Sequence, residues 1–340
     1  MGSQDTLVPF SEATKLERLD THTYSVNLVD SFCIGTVPNG GYVASCILQA
    51  ASLHLASVGQ TDVLNVHLQY LTRTETGPAV IIIEDIKLGR QLSTIHATLY
   101  QHALLPAAPW ITPRSTRKEI AAYLTMTDLS KEQGVSLPTA FSLQYPVAAP
   151  PRPDFAALRG DRDPHWARFE FPSHSPLAYA RCLRNCVYYD PREQSTKTVI
   201  DKWVRFASGE NITAAALGYM SDCWPYVVEA QRPSPREAAA MKQRGEDVPF
   251  APDARFWYPT VVLNLEVKKA LPKEGVEWLQ LRVQSKQIKN GRLDLEVLLL
   301  DESGDLVAIS NHVNLILGSE RNTAERARNN SAAEGPVSRI

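Results

Sequence analysis

An almost wholly apolar run from Val43 to Ala51 follows the hexapeptide Val37-Pro38-Asn39-Gly40-Gly41-Tyr42. The run is apolar on nearly every face, which is typical of a helix buried all round. Asn39 is a good N-cap for such a helix, and two glycines let a ligand approach its first turn closely. The pattern therefore predicts a buried helix whose Gly40 and Gly41 amides point into a pocket suited to a carbonyl oxygen or an anion.

The residues behind this helix alternate in the manner of β-strands separated by turns, which indicates an antiparallel meander. The predicted strands of the first half are 63–71, 79–88 and 93–102. The second half repeats this order, with a strand at 197–205, a helix at 212–220 capped by Asn211, and strands at 260–267, 278–288, 293–300 and 306–317. A hairpin turn at 301–305 joins the last two strands. A helix followed by a sheet, twice, predicts a duplicated α+β unit.

A proline-rich region separates the two halves, and we expect it to contain a short helix near Arg117–Leu124. The chain is thus predicted to consist of an N-terminal unit at 1–105, a linker at 106–165, a C-terminal unit at 166–318 and a disordered tail at 319–340. A further short helix is predicted where Ser234, Pro235 and Glu237 form a capping box. It lies in the segment 226–257, which is either a lid over a pocket or a surface elaboration.

The composition argues against nucleic-acid binding and membrane association. The 340 residues carry a formal net charge of −2 and are 44% hydrophobic, so neither nucleic acid nor an anionic membrane is expected as a partner. No apolar run is long enough to span a bilayer.

Five cysteines without metal-ligand spacing indicate reduced thiols in an intracellular protein, and we expect no metal and no cofactor. The C-terminal Ser338-Arg339-Ile340 resembles a peroxisomal signal; the alternative location is the cytoplasm.

Several short motifs together carry a resemblance. They are Pro38–Tyr42, Val66–Leu71, Gly77-Pro78, Gly89–Thr94, Gln101, Trp203–Phe206, Tyr219–Asp222, Tyr258–Thr260, Asn290–Arg292 and Gly304–Ser310. In this order and spacing they resemble the double-hotdog acyl-CoA thioesterase-like proteins, the relatives of acyl-CoA thioesterase II. The resemblance covers about residues 20–105 and 200–318. It implies an α+β double hotdog, in which two curved antiparallel sheets each wrap around a buried helix.

The hydrolases of this family hold a water with an Asp, a Thr and a Gln of the second half. The resemblance assigns the first two roles to Asp222 and Thr260, whereas the Gln position is His312. This departure matters because a histidine accepts a proton and a glutamine does not. Thioester hydrolysis also needs donors for the developing oxyanion, a role for Gly40 and Gly41. Further substrate-binding candidates are Asn39, Tyr42 and Trp224.

Three functions follow from the resemblance and its departures. The first is an acyl-thioester hydrolase that acts on acyl-CoA-like substrates. The second is a non-hydrolytic isomerase, dehydratase or cyclase of specialised metabolism, including the pericyclase type, which uses His312 on a bound apolar substrate; the lack of a basic cluster for the CoA phosphates points this way. The third is a catalytically silent acyl-binding module. Whether the chain forms a homo-oligomer stays open.

Overall fold

A computed structural model describes residues 7–323 apart from 145, 172–174, 176 and 195. Most of its regular structure is antiparallel strand. The strands of the first half are β1 (Leu16–Arg18), β2 (Thr23–Leu28), β3 (Cys33–Ile34), β4 (Val37–Pro38), β5 (Asp62–Tyr70), β6 (Gly77–Lys87), β7 (Ser93–Gln101) and β8 (Arg117–Thr127). Those of the second half are β9 (Trp166–Arg168), β10 (Cys186–Pro191), β11 (Val199–Phe206), β12 (Phe256–Trp257), β13 (Thr260–Val267), β14 (Leu279–Gln284), β15 (Ile288–Lys289), β16 (Arg292–Leu300), β17 (Leu306–Leu315) and β18 (Leu317–Gly318).

The helices are mostly short, with one exception. They are α1 (Phe10–Ala13), α2 (Gly40–His54), α3 (Phe155–Arg159), α4 (Leu217–Asp222), α5 (Val227–Ala230), α6 (Pro235–Gln243) and α7 (Glu320–Thr323). The 15-residue α2 is the predicted central helix, and Asn39 caps it by accepting a hydrogen bond from the Tyr42 amide. The capping box at Ser234 and Glu237 is confirmed at the start of α6. No helix in the described residues is long and apolar enough to cross a membrane.

Fourteen of the strands form one continuous sheet with internal pseudo-symmetry, while β3 pairs only with β4 and β12 only with β18. Its order is β1-β2-β6-β7-β8-β5 in the first half and β13-β17-β16-β14-β11-β10-β9 in the second. The two halves meet where β5 and β13 pair antiparallel, with Val66 opposite Leu265. Each half therefore has the predicted helix and curved antiparallel sheet, and the two sheets are joined edge to edge. The α+β hotdog architecture is confirmed.

The two helices at the centre cross at very short range because glycines stand at the contact. A Cβ on Gly41 would lie 2.4 Å from the Gly218 carbonyl oxygen, and a Cβ on Gly218 would lie 2.9 Å from the Ser45 amide nitrogen. The Ser45 hydroxyl accepts a hydrogen bond of 2.9 Å from the Tyr219 amide. This contact brings the last residue of α4, Asp222, to the first turn of α2.

One predicted helix is wrong, and another begins later than predicted. Residues 117–124 belong to β8, which pairs with β5 on one side and β7 on the other. Buried Ile120, Ala122 and Leu124 alternate with the less buried Ala121 and Tyr123, which is strand periodicity that the surrounding prolines obscured. The helix predicted at 212–220 begins only at Leu217, after a 3₁₀ turn over 214–216.

Asn211 does not cap that second helix. Its side-chain amide donates instead to the Glu274 carbonyl oxygen at 2.9 Å. The neighbouring Ile212 is held extended by paired backbone hydrogen bonds with Val276. The chain therefore turns into the helix several residues later than its N-cap signal predicted.

Two predicted boundaries change as a consequence. The 106–165 linker contains β8, a central strand of the first half's sheet, so the linker prediction is wrong for residues 117–127. The predicted disordered tail begins with helix α7, in which Asn322 is buried, so it is wrong for residues 320–323. The remaining division into two units stays a prediction. The tripeptide 338–340 lies outside the described residues.

Candidate active site

The Asp222 carboxylate is held against the N-terminus of α2. Its Oδ2 accepts a hydrogen bond of 2.8 Å from the Gly41 amide and one of 3.2 Å from Asn39 Nδ2. Asn39 thus has two tasks, since its Oδ1 caps the helix while its Nδ2 holds the carboxylate. The positive end of the helix dipole favours a negative charge at this position. The arrangement fixes a buried carboxylate whose Oδ2 has no cationic partner among the residues that the structure describes.

The other carboxylate oxygen faces Thr260 at the start of β13. The Thr260 hydroxyl donates to Asp222 Oδ1 at 3.3 Å and accepts from Asn314 Nδ2 at 3.0 Å. Sequence reasoning missed Asn314. It lies two residues after His312 on β17, and residues i and i+2 of a strand share a face, so this spacing was the available signal.

His312 contacts the same oxygen from a second direction. Its Nδ1 is 3.6 Å from Asp222 Oδ1, and its Nε2 is 2.8 Å from the Ser310 hydroxyl. The Ser310 hydroxyl also lies 2.8 Å from the Asn264 carbonyl oxygen, which can only accept. When Ser310 gives its proton to that carbonyl, His312 Nε2 must be the donor to Ser310. The histidine then presents Nδ1 to the carboxylate, where it attracts Asp222 only when protonated.

Asp222 and Thr260 line a cavity of about 200 Å³ that opens between the two halves of the sheet. Most of the surface that lines it is apolar. The lining residues are Ile34, Val37, Pro38, Asn39, Gly40, Tyr70, Leu71, Thr72, Arg73, Thr74, Asp222, Pro225, Trp257, Tyr258, Pro259, Thr260 and Val261. His312 is not among them, and its side chain has no solvent-exposed surface. The histidine therefore contacts the carboxylate without lining the cavity.

Tyr70 is a second residue that sequence reasoning missed. Its hydroxyl donates to the Gly40 carbonyl oxygen at 2.9 Å. Burial, with a smaller contribution from the Asp222 carboxylate, raises the pKa of Tyr70 well above its usual value, so the phenol stays protonated. Tyr70 belongs to the quoted Val66–Leu71 motif, yet only the fold shows that its ring reaches the first turn of α2.

Two predicted substrate-binding residues lie elsewhere. The Tyr42 ring stacks on Phe32 with centroids 4.7 Å apart, and its hydroxyl donates to the Ala13 carbonyl oxygen. Trp224 packs beside the ammonium group of Lys202, which lies 3.7 Å from the centre of the Trp224 ring. Neither residue lines this cavity, so their role in substrate binding stays a prediction from the sequence.

The predicted oxyanion donors also need a correction. The Gly41 amide is used by Asp222. Gly40 lines the cavity, and the first amides of a helix have no partner within the helix. Of the two glycines, Gly40 therefore remains the candidate oxyanion donor.

Comparison with known proteins agrees with this architecture. Residues 28–116 match the acyl-CoA thioesterase N-terminal domain, and residues 146–316 match the acyl-CoA thioesterase C-terminal domain. The thioesterase-like protein TwmA of Talaromyces wortmannii is 45% identical over 336 residues, which cover 95% of this chain and 96% of that protein.

Solved structures show the same fold at low identity. A hot-dog-fold protein of unknown function from Alicyclobacillus acidocaldarius is 17% identical, with a TM-score of 0.64 over 91% of this chain and 98% of that chain. The acyl-CoA thioesterase II TesB2 of Mycobacterium marinum is 17% identical, with a TM-score of 0.57 over 91% of this chain and 98% of that chain. The chain therefore belongs to the acyl-CoA thioesterase-like family of double-hotdog proteins.

Proposed function

We propose that this protein hydrolyses acyl thioesters, with Asp222 as the general base and Thr260 as the second holder of the attacking water. The observation that carries the proposal is the position of these two side chains. They line one cavity and are hydrogen-bonded to each other at 3.3 Å. The anchoring of Asp222 Oδ2 by Gly41 and Asn39 leaves Oδ1 to act on a ligand.

The hydrogen-bond roles of the two residues define how a water would be held. The Thr260 proton is directed to Asp222, and one lone pair of its oxygen accepts from Asn314. The other lone pair remains available, as does a lone pair of Asp222 Oδ1. A water that donates to both oxygens keeps its own lone pairs free, and these can attack a thioester carbonyl carbon.

The proposed reaction adds the water to the carbonyl carbon and then releases the thiol. The water oxygen bonds to the carbonyl carbon while Asp222 takes one of its protons. The developing oxyanion accepts a hydrogen bond from the Gly40 amide at the positive end of α2. Collapse of the tetrahedral intermediate breaks the C–S bond, and the proton on Asp222 passes to the departing thiolate. The products are a carboxylic acid and a thiol.

The position of His312 supports hydrolysis over the alternative in which this residue performs acid–base chemistry on an apolar substrate. Its side chain is buried, lies 3.6 Å from the Asp222 carboxylate and does not line the cavity. We assign it a positioning role, in which the imidazole occupies the space beside Oδ1 and limits the rotation of the carboxylate.

The volume of the cavity limits how much of the substrate it can enclose. Its volume of about 200 Å³ is smaller than the roughly 300–1,000 Å³ of pockets that enclose drug-sized ligands. The site therefore encloses the thioester group and a short adjoining apolar segment, while the thiol carrier stays outside.

The test is release of free thiol from a panel of acyl-CoAs and of acyl-N-acetylcysteamine thioesters, which lack the CoA phosphates. We expect turnover by the wild type. Thr260→Ser keeps the hydroxyl and should retain activity within about tenfold, whereas the isosteric Thr260→Val should lose about a hundredfold. Thioesters that stay intact with folded wild-type protein would overturn the proposal. A product of unchanged mass would instead indicate the non-hydrolytic alternative.

A further inference from the structure

A second group of chemically reactive side chains lies at the opposite end of α2. It consists of His22 in the β1–β2 turn, His54 at the last position of α2 and Asp85 on β6, and one ligand atom from each lies within 4.8 Å of the others. The distance between His54 Nε2 and Asp85 Oδ1 is 2.8 Å, and that between His22 Nε2 and Asp85 Oδ2 is 3.3 Å. Two imidazoles and a carboxylate form a common ligand set for Zn²⁺.

The separations suit a four-coordinate ion. Ligand atoms at about 2.0–2.1 Å from a tetrahedral zinc lie roughly 3.3 Å from one another. The two His–Asp distances are near this value, so small side-chain rotations place all three donors around one ion. The His22 side chain is 45% exposed and that of Asp85 is 30% exposed, which leaves room for water as a fourth ligand.

The outer hydrogen bonds orient both imidazoles. His54 Nδ1 lies 3.2 Å from the Thr21 carbonyl oxygen, and His22 Nδ1 lies 2.8 Å from the Thr21 hydroxyl. A carbonyl oxygen only accepts, so His54 carries its proton on Nδ1 and directs Nε2 to Asp85. Partners of this kind on the non-ligating nitrogen are usual for metal-binding histidines.

The position of the cluster in the fold also favours a bound cation. His54 is the last residue of α2, and the C-terminal end of a helix carries the negative end of its dipole.

The turn that carries His22 is held in place by other contacts. Asp20 accepts hydrogen bonds from the His22 amide at 2.8 Å and from Trp110 Nε1 at 2.6 Å. The Ile83 amide donates to the His22 carbonyl oxygen at 2.8 Å, which ties the turn to β6. The three ligand positions are thus fixed relative to one another by backbone structure.

From this geometry we propose that His22, His54 and Asp85 form a Zn²⁺ site that links the β1–β2 turn, the end of α2 and β6. The site is independent of the proposed hydrolase chemistry. Gly40 and His54 are the first and last residues of α2, and their separation of 14 positions corresponds to about 21 Å along the helix. The sequence pattern did not indicate a metal because the ligands are separated by 31 or more residues.

The experiment is titration of chelator-treated full-length protein with Zn²⁺ alone, followed by calorimetry and by thermal unfolding. We expect one Zn²⁺ per chain with micromolar or tighter affinity, proton release on binding, and a rise in the unfolding temperature. His22→Gln and Asp85→Asn should each weaken binding by at least about tenfold. Co²⁺ should give the intense visible bands of a four-coordinate ion in the wild type and in neither of these two variants.

His96→Gln is the matched control. His96 Nδ1 lies 3.9 Å from Glu84 Oε2 on neighbouring strands, a His–carboxylate pair without a third ligand in the described residues. This variant should bind Zn²⁺ like the wild type. Stoichiometric binding that survives in both His22→Gln and Asp85→Asn, or no binding by the wild type, would overturn the site. Because no turnover is measured, either result leaves the hydrolase proposal to its own test.

Discussion

The Nδ1 atom of His312 lies 3.6 Å from Oδ1 of Asp222, and the imidazole is fully buried and does not line the cavity that Asp222 borders. Oδ2 of the same carboxylate is held by a helix amide and an asparagine. Oδ1 accepts a hydrogen bond from the Thr260 hydroxyl, so Asp222 is held at both oxygens while it still borders the cavity. This is the arrangement expected of a preorganised base, whose position does not have to be acquired when the substrate binds.

Asp222→Asn should lower thioester turnover by at least about a hundredfold, the usual scale for loss of a general base. An asparagine can still accept from Gly41 through its oxygen, so the fold should survive. The measurement is the hydrolysis rate of the purified variant, with circular dichroism and thermal unfolding as controls. An unchanged rate in a folded variant would show that the carboxylate is structural.

His312→Gln restores the residue that the family resemblance places at this position. Because His312 positions Asp222 without reaching the cavity, the variant should keep activity within about tenfold of the wild type or improve it. The measurement is kcat and KM of the wild type and of His312→Gln over a series of pH values, since glutamine, unlike histidine, cannot change charge. A loss of the native activity as large as that in Asp222→Asn, with no increase in thioester hydrolysis, would favour the rearrangement or cyclisation alternative.

The successes and failures of the sequence predictions have local causes. The start of α2 was predictable because Asn39 and the glycines are a direct signal followed by an apolar run. The strands flanking it were predictable from alternation. The β8 strand was not, because its alternating Ile120, Ala122 and Leu124 lie next to proline-rich residues that favour a linker interpretation.

The site was predictable in part because resemblance supplied three positions that are distant in sequence. It could not supply Asn314, whose contact with Thr260 depends on the register of β13 and β17. It also could not show the direction of a side chain. Trp224 is two residues from Asp222, yet its ring points to Lys202 rather than to the cavity.

Gly41→Ala should destabilise the protein and reduce activity together. The added Cβ would lie 2.4 Å from the Gly218 carbonyl oxygen and 2.6 Å from Asp222 Cβ, so α4 must move away from α2. Overpacking of this kind costs about 1–3 kcal/mol. Urea denaturation and turnover are measured in parallel with Gly160→Ala, where the added Cβ meets only the flexible Arg162 guanidinium within 3.1 Å. Equal effects in the two variants would contradict the close helix crossing.

Lys202 provides a prediction about pH and stability. Its ammonium group is buried among Trp224, Phe169 and Tyr188 and contacts the Asp190 carboxylate. Burial lowers the pKa of Lys202 below its usual 10.5, and Asp190 opposes this only in part. The unfolded chain therefore binds more protons than the folded chain between the folded pKa and 10.5.

The free energy of unfolding should consequently rise with pH across that window, and below it the contribution should be constant. Other groups titrate there too; for example, burial raises the pKa of Tyr188 and works in the opposite direction above pH 10. The difference between wild type and Lys202→Met removes these shared terms. We expect the stability of the wild type relative to Lys202→Met to increase as the pH is raised from 7 toward 10.5, measured by urea denaturation with circular dichroism. Parallel curves for the two proteins would mean that the lysine keeps its usual proton affinity in the folded state.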